Sequence, residues 1–133
     1  MISSATTGAT VTYDLRQDGA QEWLERYGLQ LRVGEAARII LSQNLSTGYG
    51  WIIKDDEARG VYSFNEYDRS GDNSRGLGVP GTKEITIIGL RAGSADFRAV
   101  YARPWEFYGW NHNFLGGIQL RVTVEADAPQ LSY

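Results

Sequence analysis

The chain has 133 residues, room for one hydrophobic core and not comfortably for two. Thirteen Lys and Arg against 16 Asp and Glu leave a net charge of −3, which argues against nucleic acid or an anionic membrane as partner, since both need a basic face. With no cysteine and a single histidine, His112, the sequence excludes disulfides, thiolate nucleophiles, thiolate or His-rich metal sites and iron–sulfur clusters.

The dominant pattern is period two, the mark of half-buried strands. In chain order, candidate strands fall at 11–15, 29–33, 37–41, 50–54, 61–67, 82–88, 95–101 and 118–125. The last two alternate most cleanly: Ala95, Phe97, Ala99 and Tyr101 on one face, then Ile118, Leu120, Val122 and Val124. Clusters of Gly, Asn, Asp and Ser separate the strands as turns require. One segment breaks the pattern with helical spacing: Asp18 is placed to cap residues 19–27, Gly28 to end them, and Trp23, Leu24 and Tyr27 to pin the turn onto the sheet. Seven or eight short strands in one chain predict an all-β, antiparallel, immunoglobulin-like β-sandwich with one short helical turn near the N-terminus. No repeat or linker divides the chain, so 1–133 reads as one domain, with a core at 29–125 preceded by an N-terminal strand and insertion at 1–28. The first eight residues lack the basic end and apolar centre of a signal peptide, a pattern shared by cytosolic chains and by mature secreted, periplasmic or vesicular ones.

The loops offer little enzyme chemistry. No G-x-S-x-G elbow presents a serine, and Asp55-Asp56-Glu57 reads as a solvated turn. Gly76-Leu77-Gly78-Val79-Pro80-Gly81 spells G-x-G-x-x-G, but a strand follows where a dinucleotide site needs a helix. The expectation is therefore a protein that is not an enzyme and holds no cofactor or metal.

Three loop segments remain: Asn44-Leu45-Ser46-Thr47-Gly48-Tyr49, Gly78-Val79-Pro80-Gly81 and Arg103-Pro104-Trp105. In order and spacing they resemble the chagasin family of inhibitors of papain-like cysteine proteases, whose loops carry N-P-T-T-G-[YF], G-x-G-G and R-P-[WF]. Trp51 follows the first motif as an aromatic often does in that family. Two departures stand out: Leu45 replaces a proline and Pro80 a glycine, the latter removing a backbone N–H.

The resemblance implies a monomeric, reversible, non-covalent inhibitor of cathepsin-type proteases that plugs the cleft with three loops at one end of the sandwich. Thr47 would lie nearest the nucleophile, Gly48 would allow close approach, Gly78–Gly81 would pair with one rim, and Trp105 and Arg103 would bind the other. The aromatic insert at 107–117 either widens this surface or folds back over the sandwich end. Asn44-Leu45-Ser46 is also a glycosylation sequon, and a glycan there would block the wedge. The rival reading is a carbohydrate-binding or adhesion module in which Trp105, Tyr108 and Trp110 stack on sugars.

Overall fold

The computed structural model describes residues 10–54, 56–69, 81–107, 109–110 and 116–126. Strands form at each predicted position: β1 (Thr10–Asp14), β2 (Leu29–Arg32), β3 (Ala36–Gln43), β4 (Gly50–Ile53), β5 (Tyr62–Arg69), β6 (Gly81–Gly89), β7 (Gly93–Ala102) and β8 (Gly116–Glu125). They build two four-stranded sheets, ordered β1-β3-β6-β5 and β2-β8-β7-β4, an immunoglobulin-like sandwich. The alternation decides which side chains meet between the sheets. Ile39, Ile85 and Ile87 from one sheet and Phe97, Ala99 and Val122 from the other are completely buried. Each large aliphatic or aromatic side chain hidden this way contributes about 1.5–3 kcal/mol of transfer free energy.

The pairs among β3 to β8 are antiparallel, as expected. The N-terminal segment departs from that expectation: β1 runs parallel to β3, and β2 parallel to β8. The reason lies in the connections. β2 ends in one sheet, and a turn through Gly34 (φ +90°) delivers the chain to the other sheet as β3. Arg32 N–H donates to the Glu35 carboxylate at 2.8 Å and Gly34 N–H to the Gly89 carbonyl at 2.9 Å, fixing that crossing.

The predicted helical segment is α1 (Ala20–Tyr27), with two corrections. Gly19, at φ +80°, occupies the cap position and no side chain caps the helix, so Asp18 does not serve. Of the three predicted pinning residues only Leu24 is buried; Trp23 and Tyr27 remain about half exposed, at 52% and 54%. Their rings associate with one another at 5.1 Å, and Trp23 stacks on Tyr13 at 6.4 Å. The C-terminal end follows the prediction: Gly28, at φ +76°, returns its N–H to the Leu24 carbonyl. A Cβ on Gly28 would lie 2.8 Å from the Arg121 carbonyl oxygen.

The sheet register brings distant loops to one end. Gln43 pairs with Gly81, Gly50 with Ala102, and Tyr101 with Gly116, so the segments following β3 and β7 and preceding β6 start from neighbouring strand ends. There the core face becomes polar. Lys83, 7% exposed, places its ammonium 2.8 Å from Glu66 and 3.1 Å from Asp68, and Gln43, 4% exposed, donates to Asp68 at 2.6 Å.

Candidate functional site

The segment between β3 and β4 is built by its own short polar side chains. Asn44 is extended (φ −131°), and its side-chain oxygen accepts from Ser46 N–H at 3.2 Å and Ser46 Oγ at 2.6 Å. This closes a 3-10 turn over Leu45–Thr47. Thr47 Oγ1 donates back to the Asn44 carbonyl at 2.7 Å and accepts from Tyr49 N–H at 3.3 Å. Gly48 ends the turn at φ +84°, a conformation favouring glycine, and donates to the Leu45 carbonyl at 3.0 Å. Asn44, Ser46 and Thr47 make side-chain bonds here that an apolar residue could not make.

Tyr101 anchors the base of this loop from the opposite sheet. Its hydroxyl accepts from Asn44 N–H at 3.0 Å, while its ring stacks on Tyr49 at 5.5 Å and tilts against Trp51 at 5.2 Å. Trp51 donates its indole N–H to the Ser42 carbonyl at 2.8 Å. The aromatic following the first motif therefore braces the strand that leads into it.

The segment after β7 folds as a second 3-10 turn, Pro104–Glu106, with proline at its start, where its missing N–H costs nothing. Trp105 stands 65% exposed, outside the core. Its ring edge rests on Gly48: a Cβ there would lie 2.4 Å from Trp105 Cη2. Arg103 joins the loops more directly. Its Nε donates to the Thr47 carbonyl at 3.1 Å, and its guanidinium lies 4.5 Å from the Tyr49 ring centroid and 5.9 Å from that of Trp105. A terminal nitrogen lies 3.4 Å from the Glu106 carboxylate. Thr47 and Trp105, 58 positions apart in the sequence, are thus held in one cluster.

Of the middle motif, Gly81 opens β6 opposite Gln43, one residue from Asn44. Gly78, Val79 and Pro80 lie outside the described residues, as do His112 and Tyr108. The described part of the aromatic insert folds back onto the sheet. Phe107 meets Trp110 edge-on at 5.2 Å, Arg98 donates to the Trp110 carbonyl at 2.8 Å, and Lys54 and Arg98 lie 5.8 and 5.6 Å from its ring centroid. Trp110 is engaged within the protein rather than offered as an open sugar platform. Among the described residues no group of His, Asp and Glu is arranged to hold a metal.

Residues 30–114 match the family described as "Chagasin family peptidase inhibitor I42". The chain belongs to the chagasin family of peptidase inhibitors. Two proteins from Entamoeba histolytica are similar in sequence: amoebiasin-1 is 35% identical over 72 residues, 54% of this chain and 69% of that protein, and amoebiasin-2 is 30% identical over 78 residues, 59% and 63% respectively. The second match thus spans less than two thirds of the relative's length. Solved structures share the fold. A cysteine protease inhibitor from Entamoeba histolytica matches with a TM-score of 0.66 at 23% identity, covering 88% of this chain and 96% of that one. The solution structure of amebosin matches at 0.59 and 24% identity, covering 89% and 98%. A third, PbICP-C in complex with falcipain-2, matches at 0.54 and 20% identity, covering 94% and 95%.

Two features of the site escape sequence reasoning. The fit of Trp105 onto Gly48 and the bond from Arg103 to Thr47 join residues more than fifty positions apart. The only local hint was an arginine beside proline and an aromatic at a strand end.

Proposed function

We propose that this chain is a reversible, non-covalent inhibitor of papain-like cysteine proteases, which it blocks by inserting residues 44–49 into the active-site cleft. Residues 103–105 contact one rim and 78–81 the other. The observation that carries the reading is the clasp between the first and third loops, Arg103 on Thr47 and Trp105 on Gly48, in a chain of the chagasin family. PbICP-C, solved in complex with falcipain-2, has this fold.

The physics suits a rigid wedge. A contact of about 800 Å² per partner is ordinary for protease–inhibitor pairs, and its affinity depends on how little ordering it demands. Here the tip turn is already closed by hydrogen bonds within residues 44–49. The exposed groups at this end include Leu45 (57%) and Trp105 (65%), apolar surface available for burial against a partner.

Titration of active-site-quantified papain tests the reading. Inhibition should be stoichiometric at high concentration and reverse on dilution. Trp105→Ala should weaken inhibition by about 2 kcal/mol or more, the scale of an interface anchor; an unchanged inhibition constant would remove Trp105 from the contact.

A further inference from the structure

An inhibitor that puts a peptide loop against a cysteine nucleophile faces one hazard, that the loop is cut. Hydrolysis requires the thiolate sulfur to bond to a carbonyl carbon while the oxygen turns into the enzyme's own donors, with the peptide in near-attack geometry. The imidazolium then protonates the departing nitrogen as the C–N bond breaks, and water hydrolyses the thioester to a carboxylate and the free thiol. At the tip of this chain the bond at risk is the one between Thr47 and Gly48.

Three observations bear on that bond. The Thr47 carbonyl already accepts from Arg103 Nε at 3.1 Å, so its oxygen faces the third loop. Thr47 is wound in a 3-10 turn, its N–H bonded to the Asn44 carbonyl at 3.2 Å, instead of lying extended. The nitrogen that would leave, that of Gly48, donates to the Leu45 carbonyl at 3.0 Å, which would hold a severed end in place. Arg103 is itself fixed by the Tyr49 face at 4.5 Å and by Glu106 at 3.4 Å.

We infer that Arg103 is a positioning residue that keeps this inhibitor from becoming a substrate, by turning the Thr47 carbonyl into the molecule and away from the protease. This rests on the proposed function and deepens it. Two of the guanidinium donors are used inside the chain, so the work of Arg103 is done on its own first loop. Nε meets the Thr47 carbonyl oxygen, which therefore points toward the third loop of the same chain. Held there, the carbonyl stays in its ground-state geometry and the turn does not open into an extended strand.

The test compares the full chain with Arg103→Met, which keeps an unbranched side chain against Tyr49 but removes the donors, and with Arg103→Lys, which restores a charged donor. Each is incubated with active papain while residual activity is followed, and the products are weighed by mass spectrometry under denaturing conditions. The wild type should stay intact. Arg103→Met should inhibit at first and then lose inhibition over hours, as fragments 1–47 and 48–133 accumulate at least about tenfold faster than from wild type; Arg103→Lys should fall between. The inference is overturned if Arg103→Met survives as long as wild type, or if it inhibits more weakly without cleavage at that bond. Should the wild type not inhibit papain at all, the proposed function falls and the inference falls with it, whereas a wild type that inhibits while both chains are cleaved at 47–48 alike overturns the inference alone.

Discussion

Gly48 shows how much one missing methyl group decides at this site. Its φ of +84° costs an L-residue about 1–2 kcal/mol. Independently, any Cβ would overlap the Trp105 ring edge at 2.4 Å. Gly48→Ala is therefore expected to lower stability by about 1–2 kcal/mol and to weaken protease inhibition by displacing the indole, measurable by denaturant unfolding and inhibition titration. The two effects separate in a double-mutant cycle. In a Trp105→Ala background the same substitution should cost much less inhibition, because the side chain it displaces is gone; additive losses would show that Gly48 and Trp105 act independently. The sequence marked both residues as site candidates through their motifs. The family resemblance assigned Gly48 to close approach by a protease; the structure adds a close approach by Trp105. Arg103 is similar: its type and place were legible, but its partner, a backbone carbonyl in another loop, was not.

At the scale of elements, α1 does for β8 what another strand would otherwise do. β2 pairs with β8 only from Leu29 opposite Val122 onward, which leaves the earlier half of that strand edge open. Gln21 donates to the Gly117 carbonyl at 3.0 Å, and Gln119 N–H donates to the Glu25 carboxylate at 2.9 Å, so helix side chains satisfy groups that would otherwise invite pairing with another chain. Leu24, fully buried in the core, holds the helix in place. Leu24→Ala should cost about 2–5 kcal/mol and promote concentration-dependent self-association through the uncovered edge, visible by light scattering. Destabilisation without association would mean the edge stays covered. The strands themselves were readable because burial between two sheets imposes period two on each of them. The parallel pairing of β1 and β2 was not, since alternation says which face a residue takes and nothing about strand direction. Asp18 illustrates a further limit: it has the right chemistry for a cap, but a backbone turn through Gly19 starts the helix one position later. Trp23 and Tyr27 share the helical spacing of Leu24, yet only one residue of so short a helix is buried in the core.

Across the whole molecule, the strands that carry the first and middle loops are joined by a polar cluster that no motif announces. Gln43 on β3, Lys83 on β6, and Glu66 and Asp68 on β5 tie three neighbouring strands together on the core face at the loop end. Burial opposes the charge on Asp68, but the hydrogen bond from Gln43 and the Lys83 ammonium outweigh it and hold the carboxyl below the usual carboxylate range. Burial likewise opposes the charge on Lys83, and its bonds to Glu66 and Asp68 outweigh that and push its pKa up. The lowered carboxyl contributes stability that is present above its unfolded pKa of about 4 and is lost as pH falls through the folded value. The raised ammonium contributes stability that is complete below its unfolded pKa of about 10 and is lost as pH climbs through the folded one. Tyr62 acts in the same alkaline direction: burial, then the nearby charges of Glu57 and Asp96, raise its hydroxyl, which donates to the Asp96 carbonyl at 2.7 Å. The melting temperature should thus form a plateau from about pH 5 to about pH 9, falling on either side. Lys83→Met should make the acid limb shallower, because Asp68 loses the cation that depresses it, and Tyr62→Phe should remove part of the alkaline limb. Melting curves collected across pH on the three proteins decide this, and an acid limb of unchanged slope in Lys83→Met would show that the cluster does not carry the acid sensitivity.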